Sequence, residues 1–139
     1  MTEKISLALV GVGNVATTLV KGFEFYKNST QGLWHPKIAG LTLNDFTISA
    51  VYDIDSSKVG KKISELVKNF KTDFGNLVVQ PGIADDTAPP HISKNGQIKS
   101  ASYDDFVKSL KSAKPDFVLN LISSGMEKSS EKYAKAALD

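Results

Sequence analysis

The sequence predicts an α/β fold built on a doubly wound parallel sheet, and three observations carry that expectation. Short runs of β-forming residues alternate along the chain with stretches of helical period. The first such run ends in a glycine-rich turn that opens directly into a helical stretch. Crossovers between parallel strands are right-handed, which places the first strand centrally with helices on both faces.

Each element has its own signature. Ile5–Val10 is apolar, rich in β formers and closed by Gly11, so it reads as a buried strand. From Asn14 the period changes, and Val15, Leu19, Val20 and Phe23 predict a helix to about Tyr26. Residues 28–45 carry Gly32, Pro36 and Gly40 and read as a loop excursion, with Trp34 packed beneath it. Residues 47–53 predict the second strand. Asp55 or Ser56 then caps a helix whose apolar face is Val59, Ile63, Leu66, Val67 and Phe70. A weaker third strand is expected at 77–79, and the polar, Pro- and Gly-bearing stretch 81–100 yields no assignment. Ser102 is placed to cap a helix that buries Phe106, Val107 and Leu110 and stops before Pro115. Residues 116–122 read as another buried strand and 127–138 as a last helix. With no strand after it, the chain reads as a dinucleotide-binding domain, 1–139, cut after its fourth or fifth βα unit.

Composition excludes several classes. At 139 residues and 41 % hydrophobic content, the chain suits one packed core. No apolar run approaches the ~20 residues of a membrane span, and the start, Met-Thr-Glu-Lys, lacks a secretory pattern. Cysteine is absent, so disulfides, Cys-ligated metals and a thiol nucleophile are excluded. A soluble cytoplasmic protein is expected. The formal charge is only +2 and every basic residue is Lys, which argues against nucleic acid.

The turn Gly11-Val12-Gly13-Asn14-Val15-Ala16 matches G-x-G-x-x-G/A between a strand and a helix. Gly11 permits the tight turn, Gly13 lets a pyrophosphate approach the backbone, and Ala16 allows close helix–strand packing. The helix N-terminus favours an anion there. Asp53 ends the second strand, where a carboxylate accepts the two ribose hydroxyls of adenosine and repels a 2′-phosphate; with no Arg present, this favours NAD over NADP. Asp53 lies 37 residues after Ala16, against roughly 20 in the simple fingerprint, and the excursion accounts for the excess. Ser123, Ser124 and Gly125 follow the later strand, at the carboxyl edge where open sheets bind ligands, and could face the nicotinamide half. The plain alternatives are a ligand-free turn, a helix-capping Asp53 and a polar turn at Ser123.

Other polar residues carry less. His35 and His91 read as loop histidines with no metal spacing, and Asp85-Asp86 as solvated loop acids. Ser123 lacks the G-x-S-x-G setting of a hydrolase nucleophile. No catalytic or metal-binding residue is expected in this chain.

Several stretches together resemble the myo-inositol-1-phosphate synthase family, in its shorter prokaryotic and archaeal-type sequences and their synthase-related relatives. They are Leu9-Val10-Gly11-Val12-Gly13-Asn14, the helix Leu19-Val20-Lys21-Gly22-Phe23-Glu24-Phe25-Tyr26, and His35-Pro36. Tyr52-Asp53-Ile54-Asp55-Ser56-Ser57-Lys58-Val59-Gly60-Lys61-Lys62 and the later stretch 117–138 are similar too. The resemblance implies the N-terminal, NAD-binding part of an isomerase of inositol and phospholipid biosynthesis. That family oxidises glucose 6-phosphate, cyclises it by an aldol step and reduces the product to inositol phosphate. It implies that Gly11, Gly13, Asn14, Val15 and Asp53 contact NAD, with Ser123, Ser124 and Gly125 near the nicotinamide side. It also implies a sugar-phosphate substrate and catalytic groups in a later domain, so this chain alone is expected to be inactive. Homo-oligomerisation is left open. Two other readings stand beside it: the cofactor domain of a homoserine or sugar dehydrogenase-like oxidoreductase, or a stand-alone nucleotide-sensing module.

Overall fold

A computed structural model describes residues 3–69, 71–93 and 97–139. Four strands, β1 (Ile5–Val10), β2 (Phe46–Asp53), β3 (Gln80–Pro81) and β4 (Phe117–Asn120), form one parallel sheet in the order β3-β2-β1-β4. The helices are α1 (Asn14–Phe25), α2 (Ile63–Leu66), α3 (Pro90–Ser93), α4 (Tyr103–Ala113) and α5 (Glu127–Leu138). The expected doubly wound α/β architecture, with β1 inside the sheet, is present.

Two cores follow from the alternation of side chains along β1. Leu7 and Leu9 pack with Val20 and Phe23 of α1 and Ile63 of α2. Ala8 and Val10 pack on the opposite face with Phe106 and Leu110 of α4 and Tyr133 of α5. The β1–β2 register slips between Leu7 and Ala8, which face Ile48 and Ala50, so Ser49 is an extra residue in β2. Parity therefore changes in mid-strand. Ile48 and Val51 share the α1 face, while Ala50 and Tyr52 share the α4–α5 face.

Helix α4 has the expected ends. The Ser102 hydroxyl accepts the Asp105 N–H at 3.1 Å, and Lys114, in the left-handed region at φ 47°, closes the helix before Pro115.

Several expectations are corrected. Val15 is 64 % exposed, because Ala16, Val20 and Phe23 take the inward face of α1. Trp34 packs under nothing and is 93 % exposed; the excursion runs over the surface to a single 3₁₀ turn, Leu43–Asp45, closed by Thr42 and Asp45. The helix expected after β2 is broken. Residues 56–60 form one turn, Gly60 takes φ +91°, and only Ile63–Leu66 is helical. Lys61 is a bend and Lys62 is extended instead, with Val79 N–H donating to the Lys61 carbonyl and Ile63 N–H to that of Leu77. Val59, Ile63 and Val67 are nonetheless buried as expected; Phe70 lies outside the described residues. That antiparallel pairing engages residues 77–79, so the strand expected there falls at Gln80–Pro81. β4 is an edge strand rather than a buried one, and its Phe117 is 58 % exposed. Within 81–100, Gly82 bridges to Ser100 and Ile98 to Asp55.

Candidate functional site

The two glycines of the first turn have different reasons to be there. Gly11 sits at φ +92°, and a Cβ on it would lie 2.9 Å from the backbone carbon and oxygen of Leu121. Its N–H donates to the Tyr52 carbonyl, and Leu121 N–H donates to that of Val10. Gly11 is thus demanded by the chain's own packing between β2 and β4. Gly13, the N-cap of α1, has φ −96°, is exposed, and an added Cβ would meet nothing within 4 Å. Neither backbone nor neighbours require a glycine there.

The α1 N-terminus also differs from those of the other long helices. It has no side-chain cap and no acidic residue in its first turn. Helix α4 is capped by Ser102. Helix α5 is capped from another loop, with the Asp86 carboxylate accepting N–H from Lys128 at 3.3 Å and Ser129 at 2.7 Å. Those hydrogen bonds, led by the Ser129 amide, hold the Asp86 carboxyl below its ordinary range. Its neighbour Asp85 pairs with Lys132 at 2.8 Å. Asp85 and Asp86 are therefore structural anchors of α5 rather than freely solvated acids, a role that a separation of 43 residues in sequence conceals.

Asp53 is 7 % exposed. One oxygen, Oδ1, accepts the N–H groups of Ile54 (2.7 Å) and Asp55 (2.8 Å). The other, Oδ2, accepts Val12 N–H at 2.6 Å and lies 4.0 Å from the Lys58 ammonium. A carboxylate offers about four acceptor sites. Three are engaged, so there is room for one further donor rather than the pair expected from the sequence.

These groups line one cleft at the carboxyl end of the sheet. Gly11, Val12, Gly13, Asp53, Lys58 and Ser123 form its polar part, with Ile54, Ile83, Ile92 and Met126 on the apolar side. Ser124 and Gly125 form the exposed turn just beyond, Gly125 at φ +88°. Asn14 and Val15 are exposed at the start of α1 and do not line the cleft.

Two cleft residues escaped the sequence reading. Lys58 donates to the Val12 carbonyl at 2.8 Å, and His91, on α3, also lines the cleft. Burial opposes ionisation of the nearby Asp55, but the hydroxyl and amide of Ser57 outweigh it and hold that carboxyl below its ordinary range, with Lys58 and His91 adding to the effect.

Among the described residues no group of three or more His, Asp or Glu could hold a metal ion, and no helix is long and apolar enough to cross a membrane.

Comparison with known proteins then bears on identity. No protein-family model matches the chain. The inositol-3-phosphate synthase of Mycolicibacterium smegmatis is 30 % identical over 149 residues, covering 98 % of this chain and 41 % of that enzyme. The inositol-3-phosphate synthases of Mycobacterium tuberculosis and Corynebacterium glutamicum are each 29 % identical over 99 % of this chain. A crystal structure of a myo-inositol-1-phosphate synthase-related protein from Thermotoga maritima superposes with a TM-score of 0.71 at 23 % identity, covering 97 % of this chain and 44 % of that one, and so shares the fold. The chain spans about two fifths of the length of the curated relatives it matches. Over nearly its whole length, this protein is homologous to inositol-3-phosphate synthases.

Proposed function

We propose that residues 1–139 are the NAD-binding part of an inositol-phosphate synthase-like isomerase that converts glucose 6-phosphate to myo-inositol phosphate. The observation that carries the reading is Gly13, a glycine at an uncapped helix N-terminus that the chain's own packing does not require. Bare backbone at that place suits the pyrophosphate of a dinucleotide. Gly11 shapes the turn, and Ala16, 1 % exposed, lets α1 start close against the sheet.

Asp53 orients the adenosine end by accepting one ribose hydroxyl at the open site on Oδ2. A 2′-phosphate brought to that carboxylate meets its charge, which favours NAD. Ser123 stands at the switch point, where the nicotinamide half would lie, with Ser124 and Gly125 beyond it. When bound, NAD supplies a hydride acceptor at the start of the redox cycle and a hydride donor at its end. The chain's own residues bind and orient, and the groups that move protons in the aldol step belong to a further part of the enzyme.

The test is calorimetric titration of NAD into wild type and Gly13→Val. Wild type should bind, and the variant should lose binding while keeping its helical circular dichroism. Equal binding by both would remove the cofactor from this turn.

A further inference from the structure

We infer that Lys58 is a positioning residue that, together with Asp53, sets the glycine turn before a cofactor arrives. This rests on the dinucleotide-binding reading above. Val12 is 6 % exposed, so both of its backbone groups need partners within the protein. Its carbonyl precedes α1, whose first helical bond runs from Thr17 N–H to the Gly13 carbonyl, so the helix does not satisfy it. The Lys58 ammonium does, at 2.8 Å, while Asp53 Oδ2 takes the Val12 N–H at 2.6 Å.

Lys58 is itself aimed. Asp53 Oδ1 accepts the Asp55 amide; the Asp55 side chain accepts the amide and hydroxyl of Ser57; the Asp55 carbonyl accepts the amides of Lys58 and Val59. The contacts close a ring: Asp53, Asp55, Lys58, Val12 and back to Asp53. A turn ending at Gly60 sends Lys58 back over the first loop, with its side chain only partly covered.

The consequence falls on Gly13. In a planar trans peptide the C=O and the following N–H point in opposite directions. With the Val12 carbonyl held toward Lys58, the Gly13 N–H is turned away from the ammonium. Gly13 has no side chain to restrict its backbone, so the order must come from its neighbour. The clamp fixes a donor direction in advance and removes the ordering cost from the binding step.

The experiment compares wild type, Lys58→Met and Lys58→Arg in two measurements. The first is ¹⁵N relaxation of the Val12 and Gly13 amides in ligand-free protein. The second is calorimetric titration with NAD. Lys58→Met should lower the order of both amides and weaken NAD about tenfold, and Lys58→Arg, which keeps a cationic donor, should restore most of both. Amides as ordered in Lys58→Met as in wild type would overturn the clamp whatever happens to affinity. Disordered amides with unchanged affinity would overturn its positioning role. Wild type that binds no NAD sinks the cofactor reading instead, and the ligand-free relaxation data still decide whether the clamp exists.

Discussion

Replacing Gly11 by Ala puts the packing account of the first turn at risk. The residue sits at φ +92°, where an L side chain costs about 1–2 kcal/mol. The new Cβ would also lie 2.9 Å from the backbone carbon and oxygen of Leu121 and 3.0 Å from the Ile122 nitrogen. Backbone cannot swing aside like a side-chain tip. It is further tied by the 2.7 Å hydrogen bond from Leu121 N–H to Val10, which joins β4 to β1. Relieving such overpacking costs about 1–3 kcal/mol, so the sum is about 2–5 kcal/mol. For a chain of 139 residues, each kcal/mol shifts the midpoint by roughly 3–4 °C, so Tm should fall by roughly 6–20 °C. Gly13→Ala is the matched control. Its φ is −96° and nothing lies within 4 Å of the added Cβ, so stability should change by less than about 0.5 kcal/mol. Differential scanning calorimetry of the three proteins reads both effects. A Gly11→Ala midpoint within about 2 °C of wild type, or equal losses for the two variants, would refute the separation of a structural from a functional glycine.

Further outcomes are expected for the buried tyrosines, for Asp86 and for cofactor binding. Tyr133 has its hydroxyl bonded to both the N–H and C=O of Ile83 (2.5 and 2.8 Å), so Tyr133→Phe should destabilise by about 1–3 kcal/mol in chemical denaturation; a neutral result would mean water replaces the hydroxyl. Burial opposes ionisation of Tyr133 and Tyr52 and holds both phenols protonated to higher pH than a free phenol, so stability is full below about pH 10 and falls as pH rises beyond it, with a shallower fall in Tyr133→Phe. At the acid end, the lowered Asp86 carboxyl contributes stability above about pH 4 that is lost as pH falls through its folded value, and Asp86→Asn should flatten that limb of the Tm profile. In cofactor assays, NAD should bind more tightly than NADP, Asp53→Ala should weaken NAD, and the chain with NAD and glucose 6-phosphate should form no inositol phosphate above a blank; turnover abolished by Gly13→Val would show that catalytic groups lie within these residues.

The order and type of most elements were legible in the sequence, because the signals for them are local. The β-forming run before Gly11, the period of α1, the Ser102 cap and the stop at Pro115 act within a few residues of one another. The sequence also determined the place of the cleft, since the turn between β1 and α1 must lie at the carboxyl end of a parallel sheet. Gly11, Gly13, Asp53 and Ser123 were legible as residues of that cleft, but how they are held, and the presence of Lys58 and His91 beside them, came from tertiary pairing. The extra Ser49 in β2 comes from pairing with β1, and it changes the face on which every later residue of the strand points, Asp53 included. The break at Gly60 follows from the pairing of residues 61 and 62 with 77–79, and it turns Lys58 from a lysine of a helix into a partner of Val12. The Asp53 carboxylate kept one open acceptor site rather than two, because three backbone amides from two segments reached it first. The extra Ser49, the break at Gly60 and the Val12 amide on Asp53 each depend on a partner distant in sequence, and local period and propensity carry no record of it.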